Sequence, residues 1–293
     1  MQQQGQAAGS GLGLALSGFI LLSCGDAVIK SIGGEWPGTA VAALRFSFGA
    51  IGLGGLLWWS EGAAGFHFAR PSLQTARGTA LAFSSLMFFL ALFAMPIAEA
   101  TTIGFVSPML AVLFSFALLG ERPAPAIWPA IVLGLAGVML VLRPNFAEMG
   151  WAAALPLAAA AGFSLMLVLN RMAANEGSVL KMQFATSGVA ALILVPVTLM
   201  GHISGIAELV VPMPDWTVVA RLALVSVTAT CSHALVYMAT ARSSAGTIAP
   251  MVYVQLLTSM ALGAQFYGEL PDAAALAGAA LVIAGGLYLW WKS

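Results

Sequence analysis

Charge is what this chain has least of. Asp, Glu, Lys and Arg together make up 8% of 293 residues, against 60% hydrophobic residues. A soluble domain carries roughly 25% charged residues, so a solvated globule of this composition is excluded. Cysteine is nearly absent too. Cys24 and Cys231 both fall inside apolar segments, which excludes a disulfide framework and leaves them as expected small buried residues. The only histidines, His67, His202 and His233, are too dispersed for a metal cluster, so neither a metal nor a cofactor is expected. Eleven basic and eleven acidic residues cancel, leaving no basic patch for nucleic acid.

Enzyme motifs are missing as well. There is no His-Glu-x-x-His, no Gly-rich phosphate loop ending in Lys-Ser/Thr, and no Gly-x-Ser-x-Gly elbow. No loop is long enough for a nucleotide-binding domain, which excludes an ATP-driven pump. The first nine residues, MQQQGQAAG, contain no Lys or Arg. A cleavable signal peptide needs a basic n-region, so the first apolar segment is expected to be a retained helix.

What the chain has is long apolar runs, each long enough to cross the hydrocarbon core of a bilayer. Ten spans are expected, near residues 11–32, 38–59, 78–95, 98–119, 126–142, 151–172, 179–200, 218–241, 246–267 and 273–291. Seven of the eight tryptophans lie near span ends, as an interfacial belt requires. Glycines cluster at Gly49-Gly52-Gly54-Gly55, Gly134-Gly137 and Gly278-Gly285-Gly286, where small residues let membrane helices approach closely.

The most informative run is SPMLAVLFSFALLGERPAP, Ser107 to Pro125, an apolar helix followed by a Gly-Glu-Arg corner. It returns as MVYVQLLTSMALGAQFYGELPD, so that Glu121 matches Glu269, Gly120 matches Gly268 and Gly137 matches Gly285, each 148 residues on. This internal duplication divides the chain into a five-helix repeat over 1–146 and a second over 147–293. Orientation follows from Lys and Arg in short loops. With the N-terminus in the cytoplasm, seven (Arg70, Arg77, Arg122, Arg171, Lys181, Arg242, Lys292) fall inside and three (Lys30, Arg143, Arg221) outside, with Arg45 inside a span. Both termini are therefore expected in the cytoplasm. Five spans per repeat make the halves cross in opposite senses, an inverted repeat characteristic of transporters. The expected fold is an all-α polytopic membrane protein of ten transmembrane helices, arranged as two inverted five-helix repeats; the family resemblance described next implies that they stand around a central cavity.

The doubled five-span run, the Pro-containing fourth span, the "GER" corner and the glycine-rich fifth span ending in "LVLRP" resemble the drug/metabolite transporter superfamily, EamA type. The chain also resembles bacterial inner-membrane exporters of amino acids and metabolites, the aromatic amino acid exporters among them. That resemblance implies a cavity opened alternately to each side. The second copy departs from the pattern: Gln255-Leu256 stand where the first has Ser107-Pro108, with the nearest proline at Pro250.

Ionisable groups inside spans cost roughly 2.5–3.5 kcal/mol each to insert, so they are site candidates by default. Asp26 and Lys30, four apart on the first helix, can pair on one face with Ser23 on the same stripe. Arg45 lies about eight residues into its span and can bind a substrate carboxylate or clamp a neighbouring helix. His233 and Tyr237 on the eighth span, with Tyr253 and Gln255 on the ninth, offer an aromatic wall and hydrogen bonds. Phe89, Met166 and Ser107 are further cavity-lining candidates, and Pro108 and Pro250 are helix-break or gating candidates.

The reading is a secondary transporter of the bacterial inner membrane, exporting small amphipathic metabolites, amino acids first, by alternating access. It has a small-molecule substrate and a lipid bilayer as partners, and admits proton coupling and any oligomeric state. Its rivals are a multidrug or quaternary-cation exporter, a membrane-embedded lipid enzyme and a passive channel.

Overall fold

The structure, a computed structural model, describes residues 2–120, 125, 127–142, 150–173, 176–242 and 253–292. These residues form helices α1 (Gln2–Lys30), α2 (Gly38–Glu61), α3 (Pro71–Ala94), α4 (Ile97–Gly104), α5 (Ser107–Leu119) and α6 (Ile127–Leu142). They continue as α7 (Leu155–Met172), α8 (Val179–Ile203), α9 (Trp216–Arg242), α10 (Tyr253–Tyr267) and α11 (Ala273–Lys292). No strand occurs among the described residues. Seven stretches are long and apolar enough to cross a membrane, one of them Ile97–Leu119, which joins α4 and α5. Shorter apolar stretches lie in α6 and α11; with α10, and with the joined α4 and α5 counted once, the described residues hold ten helical units. The protein is an all-α polytopic membrane protein.

Local chemistry sets the helix ends. Pro71 opens α3, where its missing N–H costs nothing because the first helical N–H has no partner within the helix. This start lies seven residues before the expected Gly78, so the third span takes in Gln74 and Arg77. Ser178 caps α8, accepting the Lys181 N–H at 3.1 Å. Gly120 ends α5 with φ +68°, a left-handed cap that glycine adopts without strain. Between α4 and α5 the helix breaks at Phe105 and Val106, just before Ser107 and Pro108.

The most extensive helix contacts pair off when the first five helical units are exchanged with the last five. α1 packs on α9 as α7 packs on α3. α1 meets α10 as α7 meets α4 and α5, while α2 packs on its counterpart α8 and α6 on its counterpart α11. Small residues make the tightest of these contacts possible. A Cβ on Gly137 of α6 would lie 2.6 Å from the Gly278 carbonyl oxygen and 3.0 Å from the Val282 nitrogen of α11. Gly18 brings α1 close to α9, where the Ser232 hydroxyl donates to the Gly18 carbonyl at 2.7 Å.

The bulkiest fully buried side chains concentrate where α1, α2, α3 and α4 meet: Ile29, Ile32, Val41, Leu92, Ile97 and Ile103. The cysteines depart from expectation. Cys24 is half-buried and Cys231 lies on an exposed face of α9, where in a bilayer acyl chains rather than protein surround a small apolar side chain.

Candidate functional site

A cavity of about 40 Å³ lies between α2, α3, α8 and α9. It has room for a few water molecules at roughly 10–15 Å³ each. Arg45 is its only charged lining residue, and its polar lining also includes Gln183, Ser187 and His233. The guanidinium carbon sits 4.6 Å from the centre of the Phe46 ring and 5.3 Å from that of Phe89. Two aromatic faces thus supply part of the stabilisation a buried cation needs. The Arg45 Nε is buried without a hydrogen-bond partner. The Ser226 hydroxyl donates to the Arg45 carbonyl at 2.8 Å and fixes α2 against α9 at that level. A second, apolar hollow of about 170 Å³ lies between α2 and α8 near Trp36 and Val211; it holds no charge and offers little chemistry.

Beside the cavity a buried polar chain runs between α1 and α10. Ser23 donates to the Gln255 carbonyl at 3.0 Å, Ser259 reaches the Ser23 hydroxyl at 3.4 Å, and the Gln255 amide donates to Asp26 at 3.4 Å. Among the described residues Asp26 and Arg45 make no direct ion pair.

Both ends of the bundle are tied by charge. At the Lys30 end, the ammonium lies 2.5 Å from Glu269 and donates to the Met95 carbonyl at 2.7 Å. The other Glu269 oxygen accepts the first N–H of α4, from Ile97, at 3.0 Å. Beside it Arg221, near the start of α9, forks onto Glu35 in the turn after α1 and donates to the Ser31 carbonyl at 3.0 Å. The hydrogen bond from Arg221 holds the Glu35 carboxyl below the usual carboxylate range. At the opposite end Arg70, just before α3, pairs with Glu176 in the turn after α7. Gln74 donates to the same carboxylate at 2.9 Å, and Arg77 donates to Asn170 at 2.6 Å. Exchanging the halves maps α9 onto α3 and α1 onto α7, so the Arg221–Glu35 and Arg70–Glu176 ties are counterparts at opposite ends.

The structure brings together only part of the expected set. Arg45 and His233 line the cavity, and Phe89, 3% exposed, packs beside Arg45 and is not among the lining residues. Ser23, Asp26 and Gln255 form the neighbouring chain. The expected pairing of Asp26 with Lys30 does not occur. The long Lys30 side chain reaches Glu269, whose second oxygen is already anchored on α4, so a tertiary partner displaces the one four residues away. Ser107 and Met166 are buried away from the cavity, Ser107 accepting the Ser164 hydroxyl through its carbonyl at 2.7 Å. The side chains of Tyr237, Tyr253 and Pro108 lie outside the described residues, as does all of Pro250, together with Glu121 and Arg122 of the corner. Phe46, Gln183, Ser187 and Ser226 were not anticipated. Gln183 and Ser187 lie four apart on α8, but Lys181 and Thr186 of the same span are polar too, so nothing singled the pair out.

The sequence matches the EamA-like transporter family twice, over residues 9–143 and 150–291. The chain belongs to that family. It is thus a membrane transporter of the drug/metabolite type. It is 23% identical over 280 residues to an S-adenosylmethionine uptake transporter of Rickettsia felis, covering 96% of this chain and 92% of that one. It is 26% identical over 279 residues to the pseudopaline exporter CntI of Pseudomonas aeruginosa, covering 94% and 93%. A riboflavin transporter of Rhizobium johnstonii is 26% identical over 198 residues, 67% of this chain and 62% of that one. A solved crystal structure 22% identical in sequence superposes over 96% of each chain with a TM-score of 0.63, a likeness of fold.

Proposed function

We propose that the protein exports small amphipathic metabolites, amino acids first among them, across the bacterial inner membrane by alternating access. On this reading the halves are 1–146 and 147–293, both termini are cytoplasmic, and the Arg45 cavity is the cargo site. The observation that carries it is the cavity itself, lined from both halves and holding polar side chains with hydrogen-bonding capacity to spare. Tyr237, one turn beyond His233, and Tyr253 stay candidates for its wall, with Pro108 and Pro250 as the flexing points.

The matched ties at the two ends support alternation. A carrier must close one end while opening the other, and counterpart clusters at opposite ends are what exchange of conformation between inverted halves requires. A cation exporter fits less well. Such cargo calls for a carboxylate in the cavity, whereas Asp26 is engaged by Gln255 and lies outside the lining. Relatives that carry S-adenosylmethionine, pseudopaline and riboflavin support a metabolite as cargo rather than a lipid to be modified. Reconstituted vesicles preloaded with unlabelled amino acid provide the test. Saturable, accelerated exchange of labelled amino acid is expected. Flux that rises without saturation would place the protein among channels, and no flux for any amino acid would remove the reading.

A further inference from the structure

We propose that the apolar hollow between α2 and α8 is a seat for one acyl chain of a membrane phospholipid, the chain's ester carbonyl accepting a hydrogen bond from the Thr198 hydroxyl. This site is separate from the Arg45 cavity and does not depend on what the protein carries.

The first argument concerns what the space can hold. The hollow measures about 170 Å³ and is lined by Ala40, Ala43 and Ser47 of α2 and by Val195, Thr198 and Leu199 of α8. Water does not suit it. A buried water needs roughly two to four polar partners, and an apolar cavity of ~150 Å³ stays dry and takes benzene instead. Of the polar side chains on the lining, two are already engaged. The Trp36 indole donates to the Pro212 carbonyl at 2.9 Å, and the Ser47 hydroxyl donates to the Ala43 carbonyl at 2.7 Å. The third is Thr198, 8% exposed, whose hydroxyl is buried without a hydrogen-bond partner among the described residues. Thr186 of the same helix donates back to the Met182 carbonyl at 3.1 Å; Thr198 makes no such bond. A buried hydroxyl costs free energy until it is met. The hollow therefore suits an apolar body that brings one oxygen.

The second argument concerns where the hollow lies. Leu199 on its rim is 59% exposed, and Met200 and Ile203 continue the same bare apolar surface to the end of α8. In a bilayer acyl chains cover that surface, so the hollow is continuous with the lipid. Its opposite limit is set by Trp36 and Val211, in the segments that join α1 to α2 and α8 to α9. Tryptophan belongs at the boundary between headgroups and hydrocarbon, which is also where a phospholipid carries its ester carbonyls. Thr198 stands five residues before the end of α8, roughly 8 Å at 1.5 Å per residue, close under that boundary. A chain gains nothing from hydrophobicity when it leaves other chains for this hollow, because lipid tails are as apolar as the lining. Filling the space and meeting the hydroxyl are what select it, and the second can be removed chemically.

The test titrates the purified full-length protein in detergent with two phosphatidylcholines of equal chain length. One is the diacyl lipid and the other its dialkyl ether analogue, which lacks both carbonyls. Native mass spectrometry counts the bound lipid, and thermal unfolding reads the stabilisation. One diacyl lipid is expected to bind at concentrations roughly three- to tenfold below those of the ether analogue, the ratio a single neutral hydrogen bond supplies. Thr198→Val keeps the shape of the side chain and removes the hydroxyl, so it should bind both lipids alike, at the level of the ether analogue. Ala43→Leu places bulk in the hollow and should lose the bound lipid. Equal binding of the two lipids by the unsubstituted protein overturns the proposal. So does a diacyl preference that survives in Thr198→Val, or a folded Ala43→Leu protein that binds the diacyl lipid undiminished. Phenol, an apolar ring with one hydroxyl, probes the rival occupant. Stabilisation by phenol that Thr198→Val abolishes, with no preference between the lipids, would assign the hollow to a small solute and overturn the lipid.

Discussion

Lys30 shows how one residue changes meaning between sequence and structure. Spacing along α1 offered Asp26 as its partner, yet the ammonium bonds Glu269 on the far side of the chain and the carbonyl of Met95. Both side chains of the ion pair are mostly buried, 13% and 18% exposed, so removing one leaves a charge with poor solvation. Lys30→Met is expected to lower stability by about 3 kcal/mol, the low end for a broken buried pair, because Glu269 keeps its bond to the Ile97 N–H. The double variant Lys30→Met, Glu269→Gln should recover a good part of that loss. Thermal unfolding in detergent, run as a four-member cycle, reads the coupling; strictly additive losses would mean that the two residues act separately.

The same residue explains what could be read in advance. Intramembrane charge is expensive enough that Asp26, Lys30 and Arg45 stood out from composition alone. Which partner satisfies each depends on which helices the fold brings together. Lys30 finds Glu269 only because α1 packs on α10, and Phe89 backs Arg45 only because α2 and α3 are adjacent. Gln183 and Ser187 carry no charge, so nothing in the sequence weighed them above the many hydroxyls that merely back-bond to their own helix, as Ser47 does to the Ala43 carbonyl at 2.7 Å.

At the scale of elements, composition and breakers account for most of what was legible. Apolar length located the crossing units, and the glycine at 120 marked the end of α5. The break in the fourth unit lies at Phe105–Val106, immediately before the Ser-Pro pair, consistent with proline's exclusion of a helical hydrogen bond. The start of α3 was misplaced because Gln74 and Arg77 read as loop residues. They are buried instead, paired to the end of α7. The α6–α11 contact supplies the sharpest element-scale prediction. Since a side chain at Gly137 meets backbone atoms, which cannot rotate away, Gly137→Ala should destabilise by roughly 1–3 kcal/mol, the usual cost of overpacking. Gly137→Leu should abolish monodisperse protein on gel filtration. A well-behaved Gly137→Leu protein would mean that α6 and α11 do not pack this closely.

At the scale of the molecule, the account is of two related halves whose contacts map onto each other, with a narrow cavity between them and a charged tie at each end. The repeat was legible because the Gly-Glu pair at 120–121 recurs in the sequence at 268–269; the ties were not, because each joins helices from different halves. The two ties should govern opposite openings. Arg221→Gln removes the tie at the Lys30 end, and Glu176→Gln the one at the other. Acid should act as Arg221→Gln does. Glu35 has a lowered pKa, so its contribution is complete above the ordinary carboxylate range and is lost as the pH falls through that lowered value. With Glu35 exposed and Arg221 half-buried, this pair is a weak tie suited to breaking in each cycle.

The most direct measurement places a single cysteine at Ser187, in a background with Cys24→Ser and Cys231→Ser, and reacts it with a membrane-impermeant maleimide applied to one face at a time. Labelling is expected from both faces, faster from the Arg221 face in Arg221→Gln and faster from the Glu176 face in Glu176→Gln, with a bound amino acid slowing both. Labelling confined to one face and indifferent to both substitutions would contradict alternating access.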